Sequence, residues 1–372
     1  MKFLFTSALC LCELLFSAKL LYAQAPTYSF KPGFDPRECL DMLQLNQAFG
    51  DSVGLKRFAD YQPGYTFVYR SPSMGLDNVW DLWLRNDSTV VILLRGTTGD
   101  GKSLFANFYC AMIPAQGEVV LNKNDTLRYQ LATEPRAAVH AGWLLGFAFL
   151  AKDIAPKLDS LYKQGYKHYL VAGHSQGGAL CYYVSAWLWL LQKQERYADL
   201  QIKTYASAPP KVGNMYFAYS YDNLTRGNWT FSVVNADDAV TEMPPTVQQM
   251  EGDMNQPNPL MDLGKLFKKL PFIQRLVLNR AFNKMRKGAI KSSKAYQTYL
   301  GEYAHRILKQ SAPYLQLPEA VNSTYFVRPG NPIALLPNQA YYDYFEPIKD
   351  GPYYHHGMKP YAFLVRQYYR LD

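Results

Sequence analysis

Short apolar runs punctuate the first two thirds of the chain at Tyr65–Arg70, Val79–Arg85, Thr89–Leu94, Tyr169–Ala172, Lys203–Ala206 and Phe231–Asn235. Runs of this length read as strands, and Thr89-Val-Val-Ile-Leu-Leu94 is apolar enough to be a central one. Ala179 to Gln192 is apolar for longer than a strand and predicts a helix. Strands alternating with helices predict an α/β class with a mostly parallel, twisted sheet flanked by helices. Further on the pattern changes. Leu263, Leu266, Phe267, Leu270, Ile273, Leu276, Val277, Leu278, Phe282 and Met285 recur at roughly helical spacing among basic residues. Pro271 is expected to divide that stretch into two helices.

At 372 residues and 48% hydrophobic, the chain can bury a large core, as one domain with an insertion or as two. Its first 23 residues read as a secretory signal: Lys2 is the positive end, Phe3–Leu11 the apolar stretch, and Tyr22-Ala23 the cut. Secretion, to the medium or a periplasm, is therefore expected, and a retained N-terminal anchor is the rival. No later run has the 18 or so unbroken apolar residues that a spanning helix needs. Beyond Ala23 only Cys39, Cys110 and Cys181 remain, so at most one intramolecular disulfide can form.

The formal charge of +9 is local: residues 261–294 hold ten basic side chains and one acid, Asp262. Such a stretch suits an anionic membrane surface or an acidic partner, or else a cap helix with solvated lysines. No nucleic-acid module is present, and none is expected as a partner.

Chemistry enters at Gly173-His174-Ser175-Gln176-Gly177. The pattern lies between a strand and a helix, where a sharp turn lifts a serine hydroxyl out of a sheet and sets the next amide at a helix N-terminus. The plain alternative is a tight turn with Ser175 as a helix cap. A nucleophilic serine needs a base, an acid that orients the base, and donors for the oxyanion, met along such a chain in the order serine, acid, histidine. The acid is expected after Phe231–Asn235, at Asp237 or Asp238. Only His305, His355 and His356 follow it. His305 reads as a helix-surface residue, whereas His355 and His356 precede the terminal apolar run Tyr361–Val365. Thr97, after the strand Thr89–Leu94, can offer its backbone N–H to the oxyanion, with its hydroxyl as an aid, and Gln176 offers a second N–H.

Taken together, these pieces resemble the class 3 lipases, the fungal-lipase-like branch of the α/β-hydrolases. Arg95-Gly96-Thr97 is similar to the family's oxyanion loop, and His140-Ala141-Gly142-Trp143 to its H-x-G-F segment with Trp for Phe. Gly173-His174-Ser175-Gln176-Gly177-Gly178 is similar to its elbow, with Gln where Leu is usual. Asp238-Ala239-Val240-Thr241-Glu242-Met243-Pro244 is similar to its acid motif and implies Asp238 over Asp237. The spacing from His356 to Tyr361 implies His356 over His355, and His140 is implied to be structural. The resemblance covers about 60–245 and the last twenty or so residues. It implies one α/β-hydrolase domain over 24–372, with a basic, largely helical insertion at about 250–340 that caps the strand C-terminal ends.

The expected activity is a serine esterase or lipase, with Ser175 the nucleophile and no metal or cofactor required. Two rivals stand beside it. Gly96-Thr-Thr-Gly-Asp-Gly101-Lys102-Ser103 also matches a P-loop, which would make a nucleotide hydrolase. A hydrolase-like body with a basic surface could instead be a non-catalytic membrane-surface binder.

Overall fold

The computed structural model describes residues 28–50 and 62–371, apart from 263, 264, 266 and 349. The expected signal segment lies outside the described residues. The central sheet has seven strands in spatial order β1 (Tyr65–Arg70), β2 (Trp80–Arg85), β3 (Thr89–Leu94), β4 (His168–His174), β5 (Gln201–Ser207), β6 (Thr230–Asn235) and β7 (Asn331–Leu335). β2 runs antiparallel to β1 and β3, and β3 to β7 are parallel to one another. The six expected strands are all present, two with the expected ends and four with ends shifted by one or two residues.

Every residue of β3 is buried, as expected of a strand covered on both faces. Alternation along it sorts two cores. Val90, Ile92 and Leu94 pack with α3 (Ala141–Lys163) and α4 (Gln176–Gln192), while Val91 and Leu93 face α1 (Pro36–Gln47) and α9 (Met358–Tyr369). α4 begins at Gln176, immediately after the serine and ahead of the apolar run that predicts it. Its first turn, Gln176-Gly177-Gly178, carries no apolar signal.

The basic stretch forms α6 (Phe272–Tyr296), which starts directly after Pro271. It passes through a seven-residue π-helical segment, Gln297–Tyr303, into α7 (Ala304–Ser311). The described helical part of the 250–340 stretch ends there. Asn331–Leu335 instead adds the edge strand β7 beside β6. Pro332 is tolerated because an edge strand leaves its outer backbone unpaired. Five residues interrupted by proline carry too little periodicity to be read as a strand in advance. Two shorter helices complete the parts near the site, α2 (Gly101–Phe108) and α8 (Gln339–Phe345). The remaining helix, α5 (Met215–Leu224), packs behind α4.

Candidate active site

Parallel register brings the first two pieces together. Leu94 on β3 lies opposite Gly173 on β4, so the loop carrying Thr97 and the turn carrying Ser175 leave the sheet side by side. Ser175 has φ 61° and ψ −125°, a left-handed backbone that a non-glycine residue adopts only when its surroundings enforce it. The enforcement is steric. A Cβ on Gly177 would lie 2.2 Å from the Leu94 carbonyl oxygen, and one on Gly173 would lie 2.4 Å from the Gly177 carbonyl carbon. The glycines let β4, α4 and β3 approach to that distance. The Gln176 amide is the first of α4 and has no acceptor within the helix.

Asp238 follows β6 and is 2% exposed. Its Oδ1 accepts the Val240 N–H at 3.0 Å, and its Oδ2 accepts both His356 Nδ1–H at 2.8 Å and Tyr361 O–H at 2.7 Å. Burial pushes the Asp238 carboxyl up. The His356 hydrogen bond and charge, with those of Tyr361 and Val240, outweigh it and hold the group below the usual carboxylate range. With Nδ1 engaged, Nε2 is the ring nitrogen of His356 left to exchange a proton.

His174 fixes the His356 turn from below. Its Nε2 donates to the His356 carbonyl oxygen at 2.7 Å, and its Nδ1 lies 3.0 Å from Ser207 Oγ. Burial, reinforced by the nearby His356 charge, pushes the His174 imidazole down to about 3, so it works as a neutral group. His140 is also pushed down to about 3 by burial, and its ring stacks on Trp143 at 3.8 Å.

The alternates are occupied elsewhere. Asp237 accepts from Tyr342 O–H at 2.7 Å, and His355 Nδ1 lies 2.7 Å from Tyr341 Oη, both tyrosines on α8. His305 lies on α7 and meets Tyr109 Oη at 2.9 Å. None of these three lines the main cavity, whereas Ser175 and His356 both do.

That cavity measures about 950 Å³ and contains the elbow, the Thr97 loop and His356. Its walls are mostly apolar, including Phe49, Phe108, Trp143, Met243, Pro244 and Met358. Tyr296, at the end of α6, and Leu300, in the π-helical segment, line one side, and the Leu300 carbonyl accepts the Cys110 N–H at 2.9 Å. Among the described residues Cys39, Cys110 and Cys181 are buried free thiols.

The P-loop match does not form a phosphate cradle. Asp100 caps α2 with its own carboxylate, accepting the Lys102 N–H at 2.7 Å, which puts negative charge where a phosphate would sit. The Ser103 hydroxyl is buried and accepts the Thr98 N–H at 3.1 Å.

Three contacts around the candidate residues escape sequence reasoning. Asn107 donates to Thr97 Oγ1 at 2.9 Å, the Gln176 side chain accepts the Thr97 hydroxyl at 3.0 Å, and Tyr361 bonds Asp238. The His356 to Tyr361 spacing hints at the last. Nothing in linear spacing marks the first two.

Residues 91–248 match the family described as lipase (class 3). Over 109 residues the chain is 32% identical to the secreted mono- and diacylglycerol lipase 3 of Gibberella zeae, covering 28% of this chain and 32% of that protein. The match thus spans about a third of that relative's length. Among solved structures, a Rhizomucor miehei lipase in its propeptide complex is 18% identical with a TM-score of 0.44, covering 60% of this chain and 67% of that one. A lipase from Rhizopus microsporus var. chinensis is 24% identical with a TM-score of 0.42, covering 60% and 75%. Thr97, Ser175, Gln176 and Asp238 fall inside the matched stretch, and His356 lies beyond it.

Proposed function

Residues 91–248 match the class 3 lipase family, and from that premise we propose that the protein is a secreted carboxylic ester hydrolase acting on lipid esters through Ser175, Asp238 and His356. The observation that carries this reading is the 2.8 Å contact between His356 Nδ1 and Asp238, made across more than a hundred residues of sequence at the rim of the cavity that holds Ser175. His356 Nε2 takes the Ser175 proton as Oγ attacks the ester carbonyl carbon. Asp238 holds the imidazole and stabilises its charged form. The Thr97 and Gln176 N–H groups receive the oxyanion, each worth about 3 kcal/mol in comparable chemistry. His356 then gives the proton to the leaving alcohol, and water releases the acid by the reverse sequence. Secretion is supported by the signal-like N-terminus and by the relative's description as secreted. Ser175→Ala should lower p-nitrophenyl butyrate hydrolysis by at least roughly a thousandfold. It should also abolish labelling by a fluorophosphonate probe. Turnover that persists in the pure variant overturns the reading.

The same enzyme is proposed to dock on anionic lipid through α6. The helix holds seven basic residues and no acid. Its inward stripe, including Leu278, Phe282, Ser293 and Tyr296, is partly or fully buried. Its outward face begins with Phe272, Ile273, Leu276 and Val277, exposed by 69%, 74%, 58% and 60%. The same face continues with Arg280, Lys284, Lys287, Lys291 and Lys294. An apolar end followed by a basic row matches the two layers of an anionic membrane surface.

A further inference from the structure

Two positions depart from the class 3 pattern, Trp143 for Phe and Gln176 for Leu. They are far apart in sequence, yet one hydrogen-bond chain joins them. Trp143 Nε1 donates to Asn107 Oδ1 at 3.0 Å, Asn107 Nδ2 donates to Thr97 Oγ1 at 2.9 Å, and Thr97 Oγ1 donates to Gln176 Oε1 at 3.0 Å.

The direction of every link follows from its first member. An indole N–H can only donate. Asn107 must therefore turn its oxygen to Trp143 and its NH₂ to Thr97. The Thr97 oxygen thus receives a proton and has its own to give, and Gln176 Oε1 is the acceptor in line. Ser103 imposes the same orientation on Gln176. Its hydroxyl accepts the Thr98 N–H at 3.1 Å and donates toward Gln176 Oε1 at 3.4 Å. The other end of the amide, Nε2, faces Asn78 Oδ1 at 3.4 Å. Trp143, Ser103 and Gln176 are buried, while Thr97 and Asn107 are half-buried and line the cavity, so the chain runs from the core to the site.

The geometry points to a dedicated positioning device: Trp143 and Gln176, through Asn107, lock the Thr97 loop in its oxyanion-binding form before substrate arrives and commit the Thr97 hydroxyl proton to Gln176. Thr97 then serves the oxyanion through its backbone N–H alone. The four residues come from α3, α2, the loop after β3 and the first position of α4, so the chain also ties the loop to three helices. This rests on the Ser175–Asp238–His356 reading and specifies how the donor half of that site is held. In preorganised sites, donors that need no reorganisation contribute most.

The test uses the full chain and dissolved p-nitrophenyl butyrate, so that surface docking does not enter the readout. Trp143→Phe and Gln176→Leu restore the family's usual residues. Each is expected to lower kcat roughly tenfold with KM within about twofold, and the double variant should be no worse than about threefold below either single. Thr97→Val should match Gln176→Leu within about threefold, since it removes the same link together with the one from Asn107 in a single chain. Burst titration with a fluorophosphonate counts competent serines, and thermal melting checks the fold. If Trp143→Phe fails to fold, Gln176→Leu and Thr97→Val still decide. The proposal is overturned by an unchanged kcat in Gln176→Leu, or by a double variant that loses the product of the singles. Thr97→Val falling far below Gln176→Leu also overturns it, because the hydroxyl would then act on the oxyanion directly. Activity surviving in Ser175→Ala removes the underlying reading. A silent Ser175→Ala beside fully active chain variants removes only this inference.

Discussion

At the scale of single residues, the site depends on contacts that leave no freedom to substitute. Gly177 is the clearest case, because a Cβ there would overlap the Leu94 carbonyl at 2.2 Å and backbone cannot yield as a flexible side chain does. Gly177→Ala should cost about 3–5 kcal/mol or misplace Ser175, read as a lower denaturant midpoint together with lost fluorophosphonate labelling. Tyr361 makes a subtler prediction. Its hydroxyl is one of the groups holding the Asp238 carboxyl low. A carboxylate with a depressed folded pKa contributes stability above its unfolded value and loses it as pH falls through the folded one. Tyr361→Phe raises that folded value, so the variant should be less stable than the wild type near about pH 7, and the gap in denaturant midpoint should close as pH falls toward about 3. The elbow glycines were legible in sequence because a recurrent motif encodes a local turn. Tyr361's partner was not, because hydrogen bonding across a fold has no linear period.

At the scale of elements, α6 carries the boldest expectation. Its apolar and basic residues are visible as a stretch in the sequence, but which of them face outward is set by how the helix lies on the body. Ser293 anchors it inward, accepting from Gln249 Nε2 at 2.8 Å and from Thr324 Oγ1 at 3.0 Å. That orientation leaves Phe272, Leu276, Lys284, Lys287 and Lys291 on the outer side. Replacing Lys284, Lys287 and Lys291 with Glu should weaken binding to phosphatidylserine vesicles by roughly a hundredfold or more, at about 1 kcal/mol per basic residue. Hydrolysis of a dissolved ester should stay unchanged. Raised salt should weaken wild-type binding in parallel. Vesicle binding indifferent to both salt and lipid charge would count against the surface. β7 teaches the opposite lesson about elements, since its five residues become a strand only because β6 offers a free edge.

At the scale of the whole molecule, the core on the α1 side of the sheet is pinned to the strands by a buried ionic cluster. Glu38 on α1 pairs with Arg85 on β2 and with Lys203 on β5 at 2.6 Å, and accepts from Tyr205 O–H at 2.7 Å. These groups are nearly inaccessible, with side chains exposed by 3% or less in the Glu38, Arg85 and Lys203 pairs. Removing the shared acid takes away the carboxylate that Lys203 meets in a low-dielectric interior, while Arg85 keeps Asp87 at 2.9 Å. Glu38→Leu should therefore lower stability by about 3–5 kcal/mol in denaturant unfolding, with the folded fraction keeping its kcat. The cluster lies on the α1 side of the sheet, so its loss reads out in stability before chemistry.

The sequence by itself determined the strand and helix alternation, the turn at Ser175, the loop that carries Thr97 and the charge of the 261–294 stretch, since each is written in residues close along the chain. It left two acids and two histidines to choose between, and the family pattern ordered them without geometry. Tertiary structure decided what those groups touch: Tyr342 and Tyr341 engage Asp237 and His355, while Asp238 meets His356 beside the cavity. It also decided that Gln176 and Trp143 share one hydrogen-bond chain. The reason is the same in each case. A hydrogen bond acts over about 3 Å of space, whatever the number of residues between its partners, and only folding sets that distance.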